Sequence, residues 1–406
     1  MRRCLSLLLA CLVLLTGCLR TPATSGPNPS RSQGEDPILT RFHKADGLLA
    51  DGNPREAAGL LLELAAAAPD RWYVWNDLSL AYRRLDHLPA AAAAGLRAYG
   101  LKPGDPTVAF NTGVALTMAE RAADALPLLK MAGTSADALY WLAVAQVATG
   151  GASPTEAKQT LRGLLERYPD DKETRVALAA LDLDLDLDSK PDVVTIGPGK
   201  LTARLTAGTH PFELTWNPLD DPIPTAFQVV DVGAPYPVLL LWSPRAAWVY
   251  MYDPGAGSLK LLREFYGSGA WHYGTKTLGM AQMDRTLART TMEDWAWREG
   301  GWRLIRTFVT GFKDDGPIGP PATPLDLGAL LGEFPVRALF ADDATWDAFN
   351  ARWRKAITGL LRPSSVFLLP RAGAWEVEIW SDGKVLDHFA VDLAQGNGAC
   401  VISRLQ

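Results

Sequence analysis

Between residues 37 and 182 the apolar positions follow a helical rhythm. Trp75, Leu78 and Tyr82 lie three and four apart, which places them on one stripe of a helix. Ala91 and Ala98, seven apart, share a face of a second helix, where small side chains let the two helices approach closely. Pro103 follows and cannot continue that helix. The pattern then copies itself. Ala57, Ala91 and Ala125 are 34 apart, as are Pro69 and Pro103. Trp75 and Trp141 are 66 apart, as are Pro103 and Pro169, which is two periods less a two-residue deletion. The copy from Ile38 carries Ala45, Leu48, Ala57, Leu61, Leu64 and Pro69. The copy from Pro106 carries Gly113, Leu116, Ala125, Leu129 and Ala132, without a closing proline. The copy from Ala138 carries Trp141, Val144, Ala148, Ala157, Leu164 and Pro169. The spacing predicts helical hairpins in a row, with residues 170–181 as a further helix capping the last.

Past residue 181 the texture changes. Asp182, Asp184, Asp186 and Asp188 alternate with leucines. In a helix these would be like-charged neighbours four apart, so the run reads as extended, Asp on one side and Leu on the other. The glycine and closing glutamate of a calcium loop are missing, and no metal is expected there. From residue 190 short apolar runs alternate with turns. Residues 237–242, 247–252 and 258–266 predict a strand meander. Residues 294–308 predict a hairpin in which Trp295 and Trp297 share one face and Glu299-Gly300-Gly301 turns the chain. The Pro/Gly-rich stretch 313–324 reads as a linker. Helices are expected at 325–340 and 345–361, then strands at 365–369, 375–380, 385–393 and 399–403. Ser381-Asp382-Gly383-Lys384 carries the Asp-Gly core of a tight hairpin. Two helices followed by an antiparallel sheet resemble, in element order, the cystatin-like α+β roll. The expected fold class is multidomain: an all-α solenoid over 37–182, a β-rich domain over 190–316 and a small α+β domain over 322–406.

The chain opens on Arg2 and Arg3, then an apolar run from Leu5 to Leu15. That run is shorter than the roughly 20 residues a bilayer span needs and has the length of a signal-peptide core. Leu15-Thr16-Gly17-Cys18 resembles the bacterial lipobox. The resemblance implies a signal over 1–17, cleavage after Gly17 and a lipid on Cys18. Residues 18–36, rich in Pro, Ser and Gly, would then be a flexible tether. The expectation is a lipid-anchored, extracytoplasmic protein of the bacterial cell envelope, with inner and outer membrane both open. With Cys4 and Cys11 cleaved off and Cys18 acylated, Cys400 alone would remain, so no internal disulfide is expected.

The 34-residue period, with Trp, Ala and Pro in register, resembles the tetratricopeptide repeat, a helix–turn–helix unit that stacks into a solenoid. The resemblance implies a concave face lined by first helices. It would carry Phe42, Tyr73, Asn76, Leu80, Arg83, Arg84, Phe110, Val114, Leu142 and Gln146. An apolar face with a polar middle suits an amphipathic helix or an extended peptide. Arg83 and Arg84 are the pair placed to meet an acidic group, and a solvated helix end is the other reading of them.

Composition narrows the function further. The chain has 406 residues, with Lys+Arg 40 against Asp+Glu 45, so it lacks the basic excess of a nucleic-acid binder and no such partner is expected. Eleven of the 14 tryptophans follow residue 200 and read mainly as core filling, with Trp295, Trp297 and Trp302 the ones whose exposure would change the picture. There is no zinc helix, phosphate-binding loop or nucleophile elbow. His43, His87, His210, His272 and His388 are scattered outside metal-ligand spacing. No enzyme activity, cofactor or metal is expected. The leading expectation is protein–protein interaction through the groove of a lipid-anchored protein, with an unidentified protein or peptide partner. The alternative is an envelope ligand- or carbohydrate-binding lipoprotein using the Trp-rich half. A third reading is an enzyme in the C-terminal roll built on Asp387 or Asp392.

Overall fold

Capping side chains and prolines open the helices of the first half. In α1 (Pro37–Ala50) the Asp36 carboxylate accepts from the amide of Ile38 at 3.0 Å, and Pro37 occupies the first turn, where its missing N–H is no loss. Hairpin partners follow in order: α2 (Pro54–Ala67), α3 (Trp72–Arg84) with α4 (Leu88–Leu101), α5 (Pro106–Met118) with α6 (Ala122–Met131), and α7 (Ala136–Ala148) with α8 (Pro154–Arg167). Asp105 caps α5 through the amides of Thr107 and Val108, and Ser135 caps α7 through that of Ala138. The expected final helix is α9 (Lys172–Asp182), capped by Asp171.

The computed structural model describes residues 36–149, 154–197, 199–206, 211–216, 224–243, 245–266, 271–274, 276–284, 289–311, 316–317, 323–333, 337–358, 365–371, 374–381, 384–396 and 399–406. The expected signal, Cys18 and the tether up to residue 35 lie outside the described residues. So do most of the 313–324 stretch and the Asp382-Gly383 turn. Among the described residues no helix is long and apolar enough to cross a membrane.

The helical period is visible in the backbone as well as in the side chains. Gly52, Asp86 and Glu120, each 34 residues from the next, turn the chain between paired helices with φ of 78°, 58° and 62°. Two of these are non-glycine residues held in the left-handed region. Ala57, Ala91, Ala125 and Ala157 are fully buried, as the close-approach reading requires. Gly113 shows how close the approach is: a Cβ there would sit 2.7 Å from Cγ of Leu129 on α6. Buried hydroxyls tie helices to one another, Ser79 Oγ donating to Ala91 O at 2.7 Å and Thr112 Oγ1 to Gly95 O at 2.9 Å.

The aspartate run after α9 is not an extended strand. Leu183, Leu187 and Ser189 all have left-handed backbone, and the segment bends through to Asp192. Its carboxylates are spent on the backbone instead. Asp184 accepts from the amides of Asp188 and Ser189, and Asp192 from those of Leu185 and Thr206. Short polar side chains that bond the nearby backbone compete with regular structure, which is why alternation alone misreads this segment.

Three antiparallel sheets follow in chain order. The first holds β1 (Val193–Gly197), β2 (Lys200–Arg204) and β3 (Phe212–Thr215). The second holds β4 (Ala226–Val230), β5 (Val238–Trp242), β6 (Ala246–Asp253) and β7 (Ser258–Tyr266). The third holds β8 (Trp271–Gly274), β9 (Thr277–Asp284), β10 (Arg289–Arg298), β11 (Gly301–Gly311) and the short β12 (Gly316–Pro317). The middle sheet is buried on both faces. Leu239 and Leu241 pack with Leu201 and Ala203 of the first sheet, while Val238 and Leu240 pack toward Leu278, Trp295 and Trp302 of the third. A strand covered on both sides needs an unbroken apolar run, and β5 supplies Val-Leu-Leu-Leu-Trp.

The C-terminal unit is α10 (Pro324–Glu333), a 3-10 turn at Arg337–Leu339, α11 (Asp343–Ile357), and a sheet of β13 (Ser365–Arg371), β14 (Ala374–Ser381), β15 (Lys384–Gly396) and β16 (Ala399–Leu405). The first of its helices ends sooner than the apolar pattern predicts. Its sheet, too, is covered on both faces. Val366, Leu368, Val377 and Ile379 pack with Leu327, Leu331 and Phe349 from the two helices. Phe367, Leu369 and Trp380 point the other way, into one core with Trp75, Leu61, Ala91 and other residues of the helical array.

Candidate interaction site

The residues expected on the concave face lie on α1, α3, α5 and α7, and most of them are buried. Tyr73, Asn76, Leu80 and Val114 are 7%, 3%, 6% and 2% exposed. Phe42 and Gln146 are buried as well, while Arg83, Arg84, Phe110 and Leu142 are half-buried. Tyr73 is fixed by aromatic neighbours, edge-on to Phe42 at 4.6 Å and to Trp72 at 5.8 Å between ring centres. Truncating it would therefore open a cavity as well as remove a contact.

A buried polar chain links α3 to α5. Asn111 Nδ2 of α5 donates to Asn76 Oδ1 of α3 at 3.0 Å, and Asn76 Nδ2 donates to Asp77 Oδ1 at 3.1 Å. Both ends carry an acceptor with no hydrogen-bond partner, Asp77 Oδ2 and Asn111 Oδ1. Burial pushes the Asp77 carboxyl up to about 7, against the pull of the Asn76 hydrogen bond, with Asp46 raising it further and Arg84 lowering it. Arg84 donates to the carbonyl of Leu49, tying α3 to α1. Arg83 is drawn down to about 10 by burial first and by its neighbour Arg84 second.

Charged side chains join the array to the rest of the chain at several places, Arg55 of α2 with Asp326 of α10 at 2.6 Å among them. At the α3–α4 turn Asp86 pairs with Arg298, at the tip of the β10–β11 hairpin, at 3.1 Å. On α7 the Tyr140 hydroxyl lies 3.5 Å from Oδ2 of Asp231, in the segment between β4 and β5. Lys276 lies 4.9 Å from the centre of the Tyr140 ring and 3.9 Å from the same carboxylate. On the second helices, Arg371 of β13 donates to the carbonyl of Ala66 and to Glu376 and Glu378. Arg97 of α4 stacks over Trp380 with its guanidinium 4.7 Å from the ring centre. Burial raises Glu378, whereas at Glu376 hydrogen bonds from Arg371 and His388 overcome burial and hold the carboxyl low.

The other sequence candidates fall elsewhere. Trp295, Trp297 and Trp302 lie against the core between the second and third sheets, and Arg263 covers Trp295 with its guanidinium 3.7 Å from the ring centre. Asp387 is engaged by Arg352 in a paired contact at 2.8 and 2.9 Å, and Asp392 accepts from Gln406. Asp184, Asp186 and Asp188 bring carboxylate oxygens within 4.8 Å of one another, a grouping the extended reading did not foresee. Cys400 is buried and its thiol is raised by burial.

The tetratricopeptide-repeat family matches residues 137–171, which span α7 and α8. No curated protein matches the sequence. Among solved structures the chain is similar to a MamA fragment from Desulfovibrio magneticus RS-1, with 18% identity, 37% of this chain and 85% of that chain covered, and a TM-score of 0.34. It is also similar to the tetratricopeptide-repeat protein TTC0263 of Thermus thermophilus, with 19% identity, 37% and 84% covered, and a TM-score of 0.31. By its own element order the chain is an N-terminal helical-repeat region followed by a strand-rich region of several antiparallel sheets. Sequence reading found the helical hairpins but missed Asp77, Asn111, Asp86 and Arg298. The repeat itself marked Asp86, which falls 34 residues after Gly52.

Proposed function

We propose that this protein holds a protein or peptide partner on its helical array and is tethered by a lipid on Cys18 to an envelope membrane, outside the cytoplasm. The observation that carries the first part is the tetratricopeptide-repeat match over α7 and α8, set in an array of stacked helical hairpins. Stacked hairpins of this kind present a continuous surface of alternating apolar and polar side chains, the form that suits a helix or an extended segment. Phe110 and Leu142 are the apolar groove residues with surface left to offer. The anchoring part rests on the signal-like run and on Leu15-Thr16-Gly17-Cys18. We read the protein as non-enzymatic, on the motifs of the sequence alone. The packing of Trp295, Trp297 and Trp302 against the inter-sheet core speaks for the interaction reading over a tryptophan platform for sugars.

A photo-crosslinking residue at Phe110, with one at the exposed Glu166 as control, tests the array. One partner recovered from cell envelopes at Phe110 and not at Glu166 is the expected outcome; equal labelling at both sites would refute the groove. Cys18→Ser is expected to move the protein from washed membranes to the soluble fraction, read by fractionation. Retention at the wild-type level would refute the lipid anchor.

A further inference from the structure

We propose that β1 is a docking edge for a second copy of this chain, so that two copies join their first sheets, β1 against β1, across a two-fold axis. An edge strand presents a row of unpaired amides and carbonyls, and proteins ordinarily guard it with charge, proline, a bulge or a covering element. Most edges in this molecule are guarded in one of these ways. β7 carries Lys260, Arg263 and Glu264 and a bulge. β16 meets a bulge in its pairing with β15 and is bridged to Phe340. β4 is packed by α9 and β13 by α2. β3 holds Glu213, with Pro211 directly before the strand. β1, Val193-Val-Thr-Ile-Gly197, has no charge, no proline and an unbroken register with β2. Among the described strands β2 is its one hydrogen-bonded neighbour, and no other described element runs along it. Val193 is 56% exposed, with Thr195 and Gly197 exposed beside it.

Backbone geometry decides what the edge fits. Gly197 pairs with Lys200 across two residues, so the hydrogen-bonded pairs with β2 fall at Gly197, Thr195 and Val193. The N–H and C=O groups of Val194 and Ile196 therefore point to the free edge. These two residues lie evenly about Thr195. A second β1 running antiparallel, Thr195 opposite Thr195, sets Val194 of each copy against Ile196 of the other and pairs every outward group in four hydrogen bonds. Sliding the register toward one end brings in Asp192, whose amide is already bonded to the carbonyl of Leu183. Sliding it toward the other brings in Pro198, which has no N–H. Side chains agree with the central register. Exposed Val193 falls opposite Gly197, which has no side chain to meet it. Val194 and Ile196, which pack toward the core under the first sheet, meet each other and carry that apolar layer across the axis. A patch that serves both copies alike closes as a dimer. Five residues a side fall well short of a standard interface, so the dimer is a weak one.

Disulfide cross-linking of the full chain, read by mass spectrometry of the linked peptides, tests the pairing. Thr195→Cys places the two thiols on a non-hydrogen-bonded pair, whose Cα atoms lie about 4.5 Å apart, within disulfide range. In a mild thiol–disulfide buffer the link between two copies at this position is expected to form at least about tenfold faster than one between copies carrying Glu166→Cys, an exposed control on α8. Sedimentation velocity of the protein with Thr195 in place should show a dimer that grows with concentration. Thr195→Lys sets like charges opposite each other across the axis and keeps an exposed position polar. It should weaken that dimer by about threefold or more and leave the melting temperature unchanged. A monomer at every concentration up to about 1 mM would overturn the proposal. So would a dimer that Thr195→Lys does not weaken, or linking at equal rates from both positions. Linking from position 195 to a different protein in cell envelopes, and not to its own kind, would overturn it as well and assign the edge to a partner's strand.

Discussion

Asp77 is an acidic side chain in a place where apolar patterning asks for none, and its cost is measurable. One carboxylate oxygen has a single donor, Asn76, and the other has no partner. Burial lifts the carboxyl to about 7 in the folded chain, against an ordinary value of 3.8. A raised folded value means that the native state prefers the protonated form. The associated stability is fully present below the ordinary value and is lost as pH rises through about 7. Asp77→Asn keeps the acceptor for Asn76 and removes the charge. It is expected to stabilise the protein at pH 8 by a few kcal/mol, at most about 4 from the size of the shift, and to leave it nearly unchanged at pH 4. Urea titrations at the two pH values measure this, and a gain that is the same at both would refute it. That Asn76 and Leu80 sit on the first helix of a hairpin was legible in sequence from helical spacing. Their burial was not, because it depends on how closely the neighbouring helices pack, as in the Asn76–Asn111 hydrogen bond between α3 and α5.

At the scale of elements, helix pairing turns on the few positions where backbones come closest. Gly113 of α5 faces Leu129 of α6 so closely that an added methyl would overlap its Cγ. Gly59 of α2 has nothing within 4 Å of that position. Both are helix-interior glycines, so by propensity alone alanine should stabilise each by about 0.5–1 kcal/mol. The packing reverses the sign at one of them. Gly59→Ala is expected to stabilise by about that amount, and Gly113→Ala to destabilise by about 1–3 kcal/mol through overpacking. Thermal melts of the two variants decide it; a stabilising Gly113→Ala would show that α5 and α6 have room to separate. The paired helices were legible because a 34-residue copy repeats Ala57, Ala91 and Ala125. The strands β5, β6 and β7 were legible from their apolar runs. The first sheet was not: β1, β2 and β3 are four or five residues long and half polar, because they cover one face of the middle sheet and leave their own outer face to water. The Asp184–Asp188 run defeated alternation for a different reason, since its carboxylates bond the local backbone.

Over the whole molecule, a change of texture such as that near residue 182 would by itself let the helical and strand-rich halves come apart with little shared core. The packing is otherwise. Trp75, which repeat spacing assigns to the stripe that holds a hairpin together, has its ring 5.6 Å from that of Phe367 and 5.4 Å from that of Trp380, centre to centre. Its indole N–H donates to the carbonyl of Pro69 at 2.9 Å, which Arg97 also meets while it covers Trp380. Phe367, Leu369 and Trp380 are thus core residues of the array as much as of their own sheet. Fully burying side chains of this size contributes roughly 1.5–3 kcal/mol each, so removing the C-terminal unit withdraws several kcal/mol from the first two hairpins. For an array of this length that corresponds to a fall in melting temperature of about 10 °C or more. A chain ending before residue 322 is expected to show this loss by circular dichroism, with hydrogen exchange accelerated in α2, α3 and α4 and little changed in α7 and α8. Trp75→Ala in the full chain should do related damage on both sides, opening a cavity that costs about 3–5 kcal/mol and exposing amides of α3 and β13 together. If the shortened chain instead melts where the full one does, the shared core contributes nothing to the array, and the two halves are as separable as their sequences suggest.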